Sequence, residues 1–461
     1  MDELLAASAS AQAQLVRQGD ISVAALVDAH LARIEEVNTA LNAVVTLCAD
    51  QARSRAGELD AALSRGEDIG VLGGVPVTIK DSFDTAGVLT TGGTLGWRDR
   101  VPPTNAAGVQ RYLDAGAVLL GKTNTPDLTL WYETDNLLFG RTYNPYDTSK
   151  SPGGSSGGAG AILAAGGAAL ELGSDTGGSI RLPSHFCGVA GFKPSAGRVP
   201  RTGLVVPFGT PVDDLTQVGP MARYVEDLEL ALAVLSGPDG IDLAVASMPP
   251  SVGEGDLRSL RVAFYTDNGE MAASDDVAGA VRAAAAVLEA GGAKVSEDVP
   301  KGIERVGDLY RRIWVTDGGA WIHRILSEYG STDSIRLSTE FSDSVPDTAA
   351  SDWTQLMLDL QAYRSAMAEF LHGYDLILAP AHANPAKAPG ELTSADNRPG
   401  FTYTQAFNIT GWPAAVVRAG TSSRGLPIGV QAVSGPWRDA TALAGAKAIE
   451  RGLGGWLPPE M

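Results

Sequence analysis

The sequence predicts an α/β sandwich, and three observations carry that prediction. Segments with helical periodicity alternate along the chain with short β-branched runs, where separate all-α and all-β units would segregate them. The chain has 461 residues and is 44% apolar, enough for a large core, and the length alone allows roughly two to four domains. Between Lys150 and Arg201, two Gly-Ser clusters flank an Ala/Gly-rich apolar segment. Glycine at that density lets backbone approach backbone and reach positive φ angles.

The elements follow in order. Residues 2–17 and 23–38 read as amphipathic helices, the second opened by Ser22 as N-cap after the Gly19-Asp20 turn. His30 falls near its apolar face and reads as a packed or surface residue, not a ligand. Residues 42–46 form a short strand and 49–64 a helix. Residues 75–79 are a compact β-branched strand that ends on Lys80-Asp81. A lysine directly after a buried strand is notable, because charged side chains are rarely interior unless paired. Asp81 and Asp84 read as ordinary loop aspartates. Residues 105–115 are a helix and 117–120 a strand. The apolar stretch 159–172 reads as one buried, small-sided helix. Further on, 225–235 is a helix, 236–240 (SGPDG) a breaker, 261–264 a strand and 275–290 an Ala-rich helix. Residues 300–375 are mostly helical and carry Trp314, Trp321, His323 and Trp353. A strand at 374–379 then leads into a loop over 383–399.

Two motif matches fail on physical grounds. Residues 116–123 satisfy G-x-x-x-x-G-K-T, but the variable positions are themselves an apolar strand. Pro126 biases Thr125 away from the helix that a phosphate loop must open. Residues 153–157 satisfy G-x-S-x-G, but loop-like residues precede them where a nucleophile elbow needs a strand.

Composition excludes other classes. The formal charge of −19 opposes phosphate backbones, so nucleic acid is not an expected partner. Cys48 and Cys187 are too few for a disulfide framework or a zinc spacing, and five histidines make a multi-histidine metal site improbable. No metal is expected. The N-terminus has no basic region ahead of an apolar core, and no apolar run reaches the ~18 residues of a membrane span. The expectation is a cytoplasmic protein without membrane attachment.

The glycine-rich clusters point to chemistry. Thr176, Gly177 and Gly178 directly precede Ser179, where successive N–H groups can converge on a developing negative oxygen. The blocks GGSSGG (153–158), GSDTGGSIR (173–181), GFKPSAGRVPR (191–201), GVPVTIKDSFDTAG (74–87), NLLFGRTYNPYD (136–147) and LPIGVQAV (426–433) together resemble the amidase signature family. The resemblance covers most of the chain except roughly 240–400. It implies one domain, 1–461, built on a mixed central β-sheet flanked by helices on both faces, with 240–400 as a variable substrate-cleft region.

By the same resemblance, Ser179 is the nucleophile, Lys80 the base and Ser155 the relay between them, Ser155 following a cis peptide. Gly153, Gly154, Gly157 and Gly158 permit the tight path this requires. Thr176, Gly177, Gly178 and Ser179 supply oxyanion N–H donors. Asp175 and Arg181 support the loop, as does Ser156, and Thr129 lines an acyl pocket. His185 reads as a loop-packing residue. Lysine serves as a base only when neutral, and burial lowers its pKa by disfavouring the charged form. No cofactor is implied. The expected partner is a small-molecule amide, carbamate or ester, and the expected assembly a monomer or homodimer. The leading expectation is a hydrolase of aryl or small-acyl carboxamides. The alternative is the glutaminase subunit of a tRNA-dependent amidotransferase, which the acidity fits poorly. A non-catalytic binding protein is a third, disfavoured by the retention of Lys80, Ser155 and Ser179.

Overall fold

The structure is a computed structural model that describes residues 3–247, 257–331, 333–335, 337 and 349–461. Its strands are β1 (Val44–Leu47), β2 (Pro76–Lys80), β3 (Val118–Thr123), β4 (Asp135–Asn136), β5 (Gly140–Arg141), β6 (Leu170–Asp175), β7 (Ala190–Lys193), β8 (Gln217–Ala222), β9 (Arg261–Phe264), β10 (Lys294–Glu297), β11 (Leu376–Pro380), β12 (Ala414–Thr421) and β13 (Pro427–Ser434). Eleven of these form one sheet in the order β1-β3-β2-β6-β8-β7-β12-β13-β11-β9-β10, and β4 and β5 make a small separate hairpin. The sheet is mixed. β2 runs parallel to β3 and β6, and β9 parallel to β10 and β11. The central pairings from β6 through β8, β7, β12 and β13 to β11 are antiparallel.

The inner strands β2, β6, β7, β8, β11 and β13 are buried along their whole length, so both faces of the sheet are covered there, whereas the edge strands β1 and β10 are partly exposed. β11 shows the pattern at single-residue resolution. Leu376 and Leu378 pack into the core under helices Asp275–Ala290 and Asp439–Leu453, while Ile377 and Ala379 pack into the core on the opposite face. That opposite core includes helices Val306–Val315, Ala350–Phe370 and Thr402–Ile409. Alternation along a strand thus feeds two cores from one segment. Among the described residues, no helix is long and apolar enough to cross a membrane.

The expected elements at 49–64, 225–235, 261–264 and 275–290 are observed with those bounds. Others shift. The helix expected at 2–17 is two, Glu3–Ala6 and Ala9–Gln18, because Ser8 turns the chain and its hydroxyl accepts the Ala11 N–H at 3.1 Å. The second expected helix starts after Ser22 as anticipated and continues to Leu41, where Asn42 takes a left-handed φ of 49°. In the 300–375 region, helices span Val306–Val315, Ala320–Glu328 and Ala350–Phe370; residues 332, 336 and 338–348 lie outside the described set.

One expectation is wrong. Residues 159–172 are not a single helix. The helix is Gly157–Ala164, a turn follows, and β6 begins at Leu170. Gly166 makes the turn with φ of 81°, a conformation costly for a side-chain-bearing residue. A strand buried on both faces has no polar alternation, so its apolar run cannot be told from a buried helix by periodicity. The rejected phosphate-loop motif is also explained: Gly121, Lys122 and Thr123 lie inside β3 and open no helix.

Candidate active site

β2 delivers Lys80 to the interior as its last residue, fully buried. The parallel register of β2 and β6 places Thr78 opposite Glu171 and Ile79 opposite Leu172. The C-terminal end of β6 therefore passes the lysine head. Lys80 Nζ donates to Ser155 Oγ at 2.6 Å and to Ser174 Oγ at 2.9 Å. Burial is the main cause that drives the Lys80 pKa down, to about 7, against the opposing pull of Asp175 and Glu171.

Ser155 comes from the first glycine cluster, and the Gly154–Ser155 peptide is cis. Thr134 holds this loop from one side: its hydroxyl donates to the Gly153 carbonyl at 2.9 Å and accepts from the Gly157 N–H at 3.1 Å. Ser156 ties the two clusters together. Its N–H donates to the Ser179 carbonyl at 3.1 Å, and its hydroxyl reaches the Ser174 carbonyl at 3.4 Å. Ser155 and Ser179 are thus held on loops joined at the very next residue. The Ser179 side chain is 6% exposed, and its hydroxyl has no hydrogen-bond partner among the described residues.

The turn before Ser179 is fixed by Asp175. That carboxylate accepts from the N–H groups of Gly178 (2.8 Å) and Ile180 (3.1 Å), from Arg181 Nε (3.0 Å) and Nη2 (2.9 Å), and from Asn408 Nδ2 (2.9 Å). Burial pushes its pKa up, but the Arg181 charge and these bonds outweigh burial and hold it well below the usual carboxylate range. Arg181 in turn donates to the Thr404 carbonyl, Gln431 Oε1 and Asn408 Oδ1. Removing one partner of a fully buried pair strands the other charge. Arg181→Ala is therefore expected to cost ~3–5 kcal/mol of unfolding free energy. A chemical-denaturation curve checks this, and a loss below ~1 kcal/mol would show that the pair does not hold the turn.

The turn's carbonyls are occupied and most of its N–H groups are not. Thr404 donates to the Gly177 carbonyl at 2.8 Å, and the Tyr310 hydroxyl to the Thr176 carbonyl at 3.4 Å. Among the described residues, the N–H groups of Thr176, Gly177 and Ser179 have no partner. The Gly178 N–H is already engaged by Asp175. Of the four N–H groups expected as oxyanion donors, three thus have no partner among the described residues and one is bound. Gly177 also has no room for a side chain, since a Cβ there would run into the Tyr310 hydroxyl.

The remaining sequence candidates are placed as follows. Thr129 is buried in a 3₁₀ turn with φ of 64°, next to Leu128 at 52°. Its side chain makes no hydrogen bond to Lys80, Ser155 or Ser179. His185 is held at both ring nitrogens by main-chain groups of Gly429 and Asn384, and burial lowers its pKa, so it packs the loop. His30 is buried and contacts Gln12 Oε1 at 3.3 Å. Asp81 accepts from Thr91, and Asp84 pairs with Arg100 at 2.7 and 2.9 Å. Trp314 and Trp321 pack together at 5.5 Å, whereas Trp353 is 39% exposed. Among the described residues, no group of three or more His, Cys, Asp or Glu is placed to hold a metal ion.

Sequence reasoning missed Ser174, the second hydroxyl on Lys80, although it stands within the 173–181 block. It also missed Tyr132 and Tyr310, whose hydroxyls crowd Gly177. Tyr132 stacks on Phe401 at 4.0 Å and accepts from Gln405 Nε2 at 2.7 Å. No local pattern marks these residues, because they meet the turn only through tertiary packing.

Comparison with known proteins converges on one family. The family model for amidases matches residues 25–443. An indoleacetamide hydrolase of Bradyrhizobium diazoefficiens is 34% identical over 97% of this chain and 86% of its own length. A glutamyl-tRNA(Gln) amidotransferase subunit of Alkaliphilus metalliredigens is 32% identical over 95% and 94%. A 6-aminohexanoate cyclic dimer hydrolase, solved with its substrate, superposes with a TM-score of 0.87 at 30% identity, covering 99% of each chain. With a family match over nearly the whole length and a shared α/β architecture, the chain belongs to the amidase signature family, whose members are hydrolases of amide C–N bonds.

Proposed function

We propose that the protein hydrolyses small carboxamides through an acyl-enzyme on Ser179, with Lys80 as base and Ser155 as relay. The observation that carries this reading is the 2.6 Å contact between Lys80 Nζ and Ser155 Oγ in a fully buried setting. A neutral amine has a lone pair, so the same contact serves a proton moving from Ser155 to Lys80. As Ser179 Oγ attacks the carbonyl carbon, its proton passes to Ser155 Oγ, which passes its own to Lys80 Nζ. The carbonyl π electrons move onto oxygen, and the N–H groups of Thr176, Gly177 and Ser179 face that charge. Each such donor is worth ~2.7–4 kcal/mol. The relay then reverses, the leaving nitrogen takes the proton and the C–N bond breaks. Water attacks the resulting ester by the same route and frees Ser179.

The substrate class we favour is aryl amides, with carbamates and esters as further candidates for the same machinery. Tyr132, Tyr310 and Trp314, at or next to the Ser179 turn, offer flat apolar surface with polar tips. Tyr310 and Trp314 come from 240–400, which we assign as the cleft wall, and Thr129 as part of the acyl pocket. Side-by-side turnover of anilides, primary amides, carbamates and esters tests the proposal. Intact-mass detection of an acyl adduct on Ser179 completes it. Amide turnover with that adduct is the expected result. Failure on every amide, or an adduct on another residue, would overturn it.

A second reading, the glutaminase subunit of a tRNA-dependent amidotransferase, is favoured by the 32% identity to such a protein over 95% of this chain. Ammonia release from glutamine only in the presence of partner subunits would select it.

A further inference from the structure

We propose that Glu171 is the acid partner of Lys80: the two share one proton, which rests on the carboxyl and leaves the amine neutral. This deepens the reading of Lys80 as base and rests on it.

The two groups sit on neighbouring strands, β6 and β2, with Glu171 opposite Thr78, two residues before Lys80. Both are fully buried. Among the described residues, Lys80 Nζ hydrogen-bonds only to hydroxyls, those of Ser155 and Ser174. Among the described residues, the Glu171 carboxyl also hydrogen-bonds only to hydroxyls. Thr123 Oγ1 donates to Oε1 at 3.0 Å, and the Thr78 hydroxyl contacts Oε2, a pairing that serves with the proton on either oxygen. Among the described residues, neither group has an ion-pair contact. Some other buried cations do: Arg181 with Asp175 at 2.9 Å, Arg198 with Asp439 at 2.9 Å, and Lys122 with Asp81 at 3.7 Å, whereas Lys193 and Arg223 are held by carbonyl and amide oxygens.

An ammonium and a carboxylate buried out of contact each carry a desolvation cost of several kcal/mol, which their attraction at a distance does not repay. Moving the proton from nitrogen to oxygen removes both charges at once. The directions of titration agree. Burial lowers the Lys80 pKa and raises that of Glu171, each toward its neutral form.

The other groups facing the pair do not supply the missing charge. Lys122 on β3 is bound by Asp81, the Phe83 carbonyl and the hydroxyls of Thr85 and Thr90. Asp175 faces Lys80 but is matched by Arg181. Tyr112, from helix Ala107–Asp114, stays a neutral phenol, because burial and then Glu171 raise its pKa well above the ordinary value. Met221 of β8, opposite Glu171, and helix Gly157–Ala164 carry no titratable side chain.

Infrared spectroscopy of the full-length protein, with ¹³C-labelled glutamate, tests the proposal without substrate. A protonated-carboxyl C=O band is expected at pH 7 and should be missing from Glu171→Gln. That difference separates it from Glu450, another glutamate that burial raises, to about 7. The acid limb of the kcat/KM profile should hold its position in Glu171→Gln, because glutamine mimics the neutral acid. Absence of the band, or a limb displaced to lower pH, would show an anion at 171 that keeps the proton on Lys80, and would overturn the proposal. If Glu171→Gln does not fold, Thr123→Val replaces it: losing that hydroxyl must shift the band, and an unmoved band overturns the assignment. The infrared result is independent of whether Lys80 is the base, which kinetics of Lys80→Ala decide separately.

Discussion

Ser179→Ala is expected to lower kcat for amide hydrolysis on the order of 10⁶-fold, the scale seen when a serine nucleophile is removed from a working relay. The fold should be unaffected. The Ser179 hydroxyl has no hydrogen-bond partner among the described residues, so its loss strands no buried donor or acceptor. The change in unfolding free energy should stay below ~1 kcal/mol. The two measurements together separate chemistry from folding. Steady-state kinetics within tenfold of the parent would remove Ser179 from the mechanism. A fall in activity matched by a collapse in stability would reassign it to a structural part.

Lys80→Ala is expected to cost ~10²–10⁴-fold in kcat/KM, the usual worth of a positioned general base. The parent enzyme supplies a second readout. As the proposed base, Lys80 would act only when uncharged, and its pKa is lowered to about 7, chiefly by burial. As pH falls through that value the amine takes a proton and the rate falls with it, so activity should rise with pH across neutrality and level off above. In Lys80→Ala this limb should vanish, leaving a slow and flatter profile. A variant that keeps both the limb and near-parent rates would place the base elsewhere.

Much of the candidate site is legible because its residues stand in local sequence patterns. Lys80 ends a short β-branched strand, and Ser155 and Ser179 stand within glycine clusters whose density signals tight backbone paths. What the sequence hides is physical in origin. The start of β6, Leu170 to Leu172, reads as helix because it continues a short buried run with no clear alternation. β7 and β8, AGFK and QVGPMA, carry few β-branched residues and include glycine and proline, so propensity gives no strand there. Their strand state comes from the neighbours they pair with. The engagement of the Gly178 N–H by Asp175 is invisible for a different reason. A short acidic side chain can fold back on its own turn or reach outward, and Arg181 and Asn408 decide which. Glu171 is, with Ser174, a visible signal left unused: a carboxyl set between Leu170 and Leu172.

The props behind the Ser179 turn come from far along the chain. Arg181 reaches Thr404, Asn408 and Gln431, which follow it by 223, 227 and 250 residues. All three side chains of the proposed relay leave the ribosome long before those props exist. A nascent chain that already contains Lys80, Ser155 and Ser179 thus has no rigid turn. Competence to cleave an amide arrives late in synthesis, when the final strands dock.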